Sequence, residues 1–154
     1  LWELASHDIA ALNYVFESQP YKVELMSNQK LVDFIVRISI AYKRGNDVCM
    51  GMVTAHSIAT HPERYLEIKT PKASLRSNEA PKRFVAYEDS KDGYSARMDF
   101  ESDDLAAELS AFVQSMRNRT QPQCGIQQAT LVVHTIEAII ESGKTGRPVI
   151  LTQI

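Results

Sequence analysis

The sequence predicts an α+β fold, a mostly antiparallel open sheet with helices covering one face. Three observations predict it. Residues 31–42 alternate apolar and polar side chains with period two, apolar stripes at helical spacing recur near the start and in the last third, and the gaps between the intervening strands are too short for crossover helices. With 154 residues, 44% of them apolar and 23% charged, the chain is expected to form one compact domain around one core.

Taken in order, Ser6 is a candidate cap for a short helix in which Ile9, Leu12 and Phe16 repeat at helical spacing, and Ser18, Gln19 and Pro20 end it. This puts His7 in the first turn. In 31–42, Val32, Phe34, Val36, Ile38, Ile40 and Tyr42 share one face, with Asp33, Arg37 and Ser39 on the other. Gly45-Asn46-Asp47 supplies a turn, and the Met-containing run 48–58 returns as the second arm of a hairpin. Segments 64–69 and 73–77, around Thr70-Pro71-Lys72, predict a second hairpin, and 83–87 a fifth strand.

After a polar turn at 89–93, Ser102, Asp103 and Asp104 offer a cap and negative charge to a helix with Leu105, Leu109, Phe112, Val113 and Met116 as its core stripe. A further helix over 125–142 carries Ala129, Val132, Val133, Ile136, Ile139 and Ile140 on its buried side, and Thr130, His134, Glu137 and Glu141 opposite. Gly143 and Gly146 are expected to end it, and 148–151 reads as a last strand.

Seventeen basic and nineteen acidic residues give a net charge of −2, without any dense basic patch to neutralise phosphates, so no nucleic-acid partner is expected. No apolar run is long enough to span a bilayer, and no membrane association is expected. Cys49 and Cys124 fit no disulfide or metal spacing and are expected to be reduced, in a cytoplasmic setting. His56, His61 and Glu63 match no standard ligand pattern, so no metal is expected. The first residues read as the middle of a structured segment of a longer protein.

Three stretches carry a resemblance. Leu1-Trp2-Glu3-Leu4-Ala5-Ser6-His7-Asp8-Ile9 is similar to a G-x-L-x-D-x-x-x-H-D-I helix start. Arg64-Tyr65-Leu66-Glu67-Ile68, leading to Ala73-Ser74-Leu75, is similar to an R-x-L-E-I-x-G-x-x-G-x-L hairpin. Ile136-Glu137-Ala138-Ile139-Ile140-Glu141-Ser142-Gly143-Lys144-Thr145-Gly146-Arg147-Pro148-Val149 is similar to a terminal A-I-x-E-S-x-x-T-G-R-x-V-x-L. In this order and spacing, across nearly the whole chain, they resemble the carboxy-terminal domain of the Gfo/Idh/MocA oxidoreductases.

The resemblance implies that residues 1–154 are a single substrate-binding and oligomerisation domain whose parent also has an amino-terminal Rossmann domain holding NAD or NADP. That second domain is absent from this sequence: no G-x-G-x-x-G occurs, and Glu79-Ala80-Pro81 is no match for the family's Glu-Lys-Pro. No cofactor is therefore expected for this chain alone. The implied function is the substrate-binding and oligomerisation part of an NAD(P)-dependent oxidoreductase acting on a sugar, nucleotide sugar or polyol. The alternative is a non-catalytic dimerisation or ligand-binding module that kept the fold without the chemistry.

The resemblance gives His7 the role of general base or substrate-hydroxyl ligand, and an imidazole can accept a proton near neutral pH. The plainer alternative is a histidine that serves only the first turn of a helix. Glu3 stands where the family usually has Asp, its carboxylate one methylene further out. Asp8 supports the helix start or contacts substrate, and Trp2 walls the pocket or fills a domain interface. A homodimer or higher homo-oligomer is expected through the sheet face around Ile35, Arg37 and the Met50 strand.

Overall fold

The computed structural model describes residues 2–29, 35–56, 65–69, 73–78, 83–88, 95–99, 104–122 and 124–152, with side chains described over 5–26, 36–43, 45–54, 105–122 and 124–152. It has two compact units, Leu1–Ile58 with Gln123–Ile154, and Ala59–Pro122.

In the first unit, helix α1 (Trp2–Phe16) leads into strands β1 (Pro20–Gln29), β2 (Ile35–Arg44) and β3 (Asp47–His56), and helix α3 (Ile126–Thr145) leads into the short strand β8 (Val149–Ile150). The sheet order is β3-β2-β1-β8, and every pairing is antiparallel. The alternation in β2 does what it predicts. Val36, Ile38, Ile40 and Tyr42 are all buried, on the face covered by α1 and α3. Register places Val23, Ile40 and Gly51 in one row on that face, and Lys22, Ala41, Met50 and Ile150 in a row on the other. That other face is open, with Met50 60% and Met52 64% exposed.

The second unit holds β4 (Tyr65–Lys69), β5 (Ala73–Asn78), β6 (Arg83–Glu88) and β7 (Ser95–Asp99), an antiparallel meander in chain order, and then helix α2 (Asp104–Asn118). The expected second hairpin and fifth strand are present.

Two strands were not expected. β7 is five residues long. In β1, Val23 and Leu25 pair with the buried Ile40 and Ile38 while Lys22 and Glu24 pair with Ala41 and Ser39. This alternation is short, because the register shifts between Leu25 and Ser27.

The helices correct the sequence reading at several points. α1 begins at Trp2, so Ser6 is inside it and His7 lies in the second turn. It ends as expected, with Glu17 at φ 47° and the Ser18 hydroxyl donating to the Lys43 carbonyl at 2.8 Å. The stripe expected to be core in α2 (Leu105, Leu109, Phe112, Val113, Met116) is exposed throughout. Periodicity makes a helix amphipathic without saying what covers it.

In α3 the buried stripe is Leu131, Thr135, Ile136, Ile139 and Ser142, rotated from the expected one, and Ala129 and Val133 face solvent. The two hydroxyl residues tolerate burial because each has a partner: Thr135 donates to the Leu131 carbonyl at 2.7 Å, and Ser142 Oγ accepts the Leu25 amide at 3.0 Å. Gly146, at φ 65°, caps α3 through its amide on the Ser142 carbonyl. Gly143 is interior to the helix. A Cβ there would stand 2.6 Å from Leu25 Cδ2, so glycine lets α3 approach β1. The expectations for 31–34, 57–58, His61 with Glu63, and the turns at 70–72 and 89–93 lie outside the described residues.

Candidate functional site

All four residues singled out by sequence lie at the start of one element, α1. Ala5, Ile9, Leu12 and Asn13 form its buried face, against α3 and β3. His7 stands 200° around the helix from both Ala5 and Ile9 at about 100° per residue, and it is exposed. Asp8 is half-buried. Trp2 and Glu3 occupy the first turn, with Glu3 one turn before His7; their side chains lie outside the described ones. The structure thus gathers Trp2, Glu3, His7 and Asp8 on two successive turns, and points His7 away from the core of its unit.

What holds α1 in place is more specific than apolar contact. The Tyr42 hydroxyl on β2 donates to Asn13 Oδ1 at 2.9 Å, inside the core. Phe16 lies against the Tyr42 ring, with centroids 4.6 Å apart. Leu12 sits over Gly51 of β3, where a Cβ would come within 2.9 Å of Leu12 Cδ1. Burial pushes the Tyr42 phenol well above its ordinary range, so it remains a donor. No sequence motif flagged this group. A polar Asn13 within an apolar stripe, paired with a tyrosine on the buried face of β2, was the available signal.

The described residues also hold a shallow groove of about 480 Å³ between α3 and β8, lined in part by His134, Glu137, Glu141, Lys144 and Ile150. His134, Glu137 and Glu141 are solvent-facing, as expected. No group of three or more metal-ligating side chains occurs among the described residues, and no described helix is long and apolar enough to cross a membrane.

Residues 1–151 match the model of the oxidoreductase family's C-terminal alpha/beta domain. The chain belongs to the Gfo/Idh/MocA family. Solved structures share the family fold at low identity. The yvaA protein of Bacillus subtilis superposes with a TM-score of 0.75 at 15% identity, over 99% of this chain and 52% of that one. An aldose-aldose oxidoreductase from Caulobacter crescentus, complexed with glycerol, gives 0.71 at 16%, over 96% and 46%. The UDP-N-acetylglucosamine 3-dehydrogenase GnnA of Acidithiobacillus ferrooxidans gives 0.70 at 14%, over 88% and 44%. The chain spans about half the length of these relatives. No curated protein sequence matches it.

The five described glycines do not form the Gly-rich turn of a nicotinamide pyrophosphate site. Gly45 and Gly146, the two with positive φ, form the β2–β3 turn and the α3 C-cap, and Gly51 and Gly143 are packed under leucines. Gly125 N-caps α3, but it is a lone glycine after Gln123-Cys124, without the neighbouring glycines that let a dinucleotide pyrophosphate approach a helix amino terminus.

Proposed function

We propose that this chain is the substrate-side and subunit-pairing part of an NAD(P)-dependent oxidoreductase of sugars, nucleotide sugars or polyols, with the nucleotide held by a segment outside residues 1–154. One observation carries the reading: α1 is locked to the sheet by its inner face and presents His7, exposed, from the outer one, within a chain of this family. A general base must reach a substrate proton, and a core histidine cannot. His7 takes the hydroxyl proton of the carbon being oxidised, Glu3 and Asp8 bind neighbouring hydroxyls, and Trp2 closes the site.

Two of the solved relatives are described as acting on an aldose and on a nucleotide sugar, which supports that substrate class. The test is His7→Ala in the full polypeptide carrying this chain. Turnover should fall by roughly two to four orders of magnitude, the scale for loss of a general base, with cofactor affinity unchanged. Normal turnover with a normal pH profile would make His7 structural. Titration of this chain alone with NADH or NADPH should show no low-micromolar binding.

A second reading, a pairing module without chemistry, rests on one surface that fits it as well as the first. The open sheet face exposes Val48, Met50 and Met52 as an apolar stripe along the edge strand β3, with Ile150 exposed on β8 at the opposite edge. Such a patch suits an isologous homodimer. Both readings share this dimer, which sedimentation at micromolar concentration checks. Met50→Asp should shift it toward monomer.

A further inference from the structure

We propose that Asn13 and Tyr42 are positioning residues for His7: their buried hydrogen bond fixes the height and rotation of α1 on the sheet and so the place of the imidazole. The inference rests on His7 being the base. Apolar contacts such as Ile9 and Leu12 hold a helix against a sheet without fixing its register, because hydrophobic attraction is non-directional. A hydrogen bond is directional and short-ranged.

Among the described residues, Tyr42 to Asn13 is the side-chain hydrogen bond that joins α1 to the sheet from within the core. Phe16 against the Tyr42 ring and Leu12 over Gly51 press the same part of the helix onto the sheet, and the hydrogen bond beside them selects its register. Asn13 is six residues from His7, about 9 Å along a rigid helix, so a slip at one end is delivered at the other. Misplacement of the order of 1 Å at a catalytic group costs about a hundredfold in rate.

A stability role explains the pair poorly. Asn13 is 5% exposed, and its Nδ2 has no hydrogen-bond partner. A buried donor left unmade offsets much of what the bond contributes, and replacing both partners with apolar groups of similar shape is often neutral or stabilising. Buried polar groups of this kind are retained in some proteins because they specify one arrangement.

The experiment uses the full polypeptide carrying this chain and three variants: Asn13→Leu with Tyr42→Phe, Tyr42→Phe alone, and His7→Ala. The melting temperature, the NMR signal of the His7 ring and the rate of NAD(P)H formation from D-glucose, myo-inositol and UDP-N-acetylglucosamine are measured. The double variant should melt no lower than the parent, shift or broaden the His7 ring signal, and lower kcat at least tenfold on the sugar that is turned over. KM should change little.

Tyr42→Phe keeps the ring against Phe16 but leaves Asn13 Oδ1 buried without its donor, so it should melt lower than the parent. It should shift the His7 signal and lower kcat in the same sense, which covers the case in which the double variant fails to fold. An unmoved His7 signal in a folded variant overturns the proposal, whatever the role of His7. So does kcat within twofold of the parent when His7→Ala loses activity. Normal turnover in His7→Ala overturns the reading of His7 as base, and the catalytic positioning falls with it.

Discussion

Helices α1 and α2 are both fifteen residues long and both carry an apolar stripe, yet they meet opposite fates. Ala5, Ile9 and Leu12 of α1 are buried, whereas Leu105, Leu109, Phe112 and Met116 of α2 are exposed. α2 has the cleaner amphipathic pattern of the two. The difference lies in what each stripe faces. α1 meets a sheet face shaped for it, with Gly51 leaving room for Leu12 and Tyr42 offering a hydrogen bond to Asn13. An amphipathic pattern measures the capacity of a helix to be covered, and a complementary surface decides whether it is.

The comparison can be broken most directly by truncation. Ile9→Ala should cost the first unit about 2–5 kcal/mol, the range for a buried large-to-small change, in urea unfolding. Leu109→Ala should cost about 0.5 kcal/mol or less, as for an exposed site. A loss near 2 kcal/mol at Leu109 would show that the α2 stripe is covered in the working protein.

Tyr42 sharpens the α1 side through pH. Its phenol is held protonated in the folded state, while in the unfolded chain it ionises near pH 10. Its contribution is fully present below pH 10. Above that, the unfolded state binds fewer protons, so stability should fall by up to about 1.4 kcal/mol per pH unit from this group. In Tyr42→Phe that part of the alkaline slope should vanish, and an unchanged slope would show that the hydroxyl is solvated.

The smallest effect concerns α3, which packs on β1 as closely as α1 does on β3. Gly143→Ala gains about 1 kcal/mol of helix propensity but drives a methyl against Leu25, an overpacking of about 1–3 kcal/mol. The net loss should be about 0–2 kcal/mol by the same two principles. Adding Leu25→Ala should reveal the helix gain, so that the double-mutant cycle shows favourable coupling. Additive losses would mean that the close approach at Gly143 is relaxed in solution.

Much of this was legible in the chain itself. The period-two run in β2, the Gly45 turn, the hairpin around 70–72 and the Gly146 cap are written in local spacing and turn chemistry, which act over a few residues whatever surrounds them. His7 stands out as a candidate only because its neighbours resemble a family motif; nothing about its spacing alone selects it, and its proposed role awaits the His7→Ala test. The exposure of α2, the rotation of α3 onto Leu131, Thr135 and Ser142, and the Asn13–Tyr42 bond were decided by the tertiary structure. Each depends on partners far away in sequence: Ser142 answers an amide at Leu25, and Asn13 a hydroxyl at Tyr42. Local sequence fixes the period of a segment, but burial of a polar group is decided by whether a distant partner arrives to satisfy it.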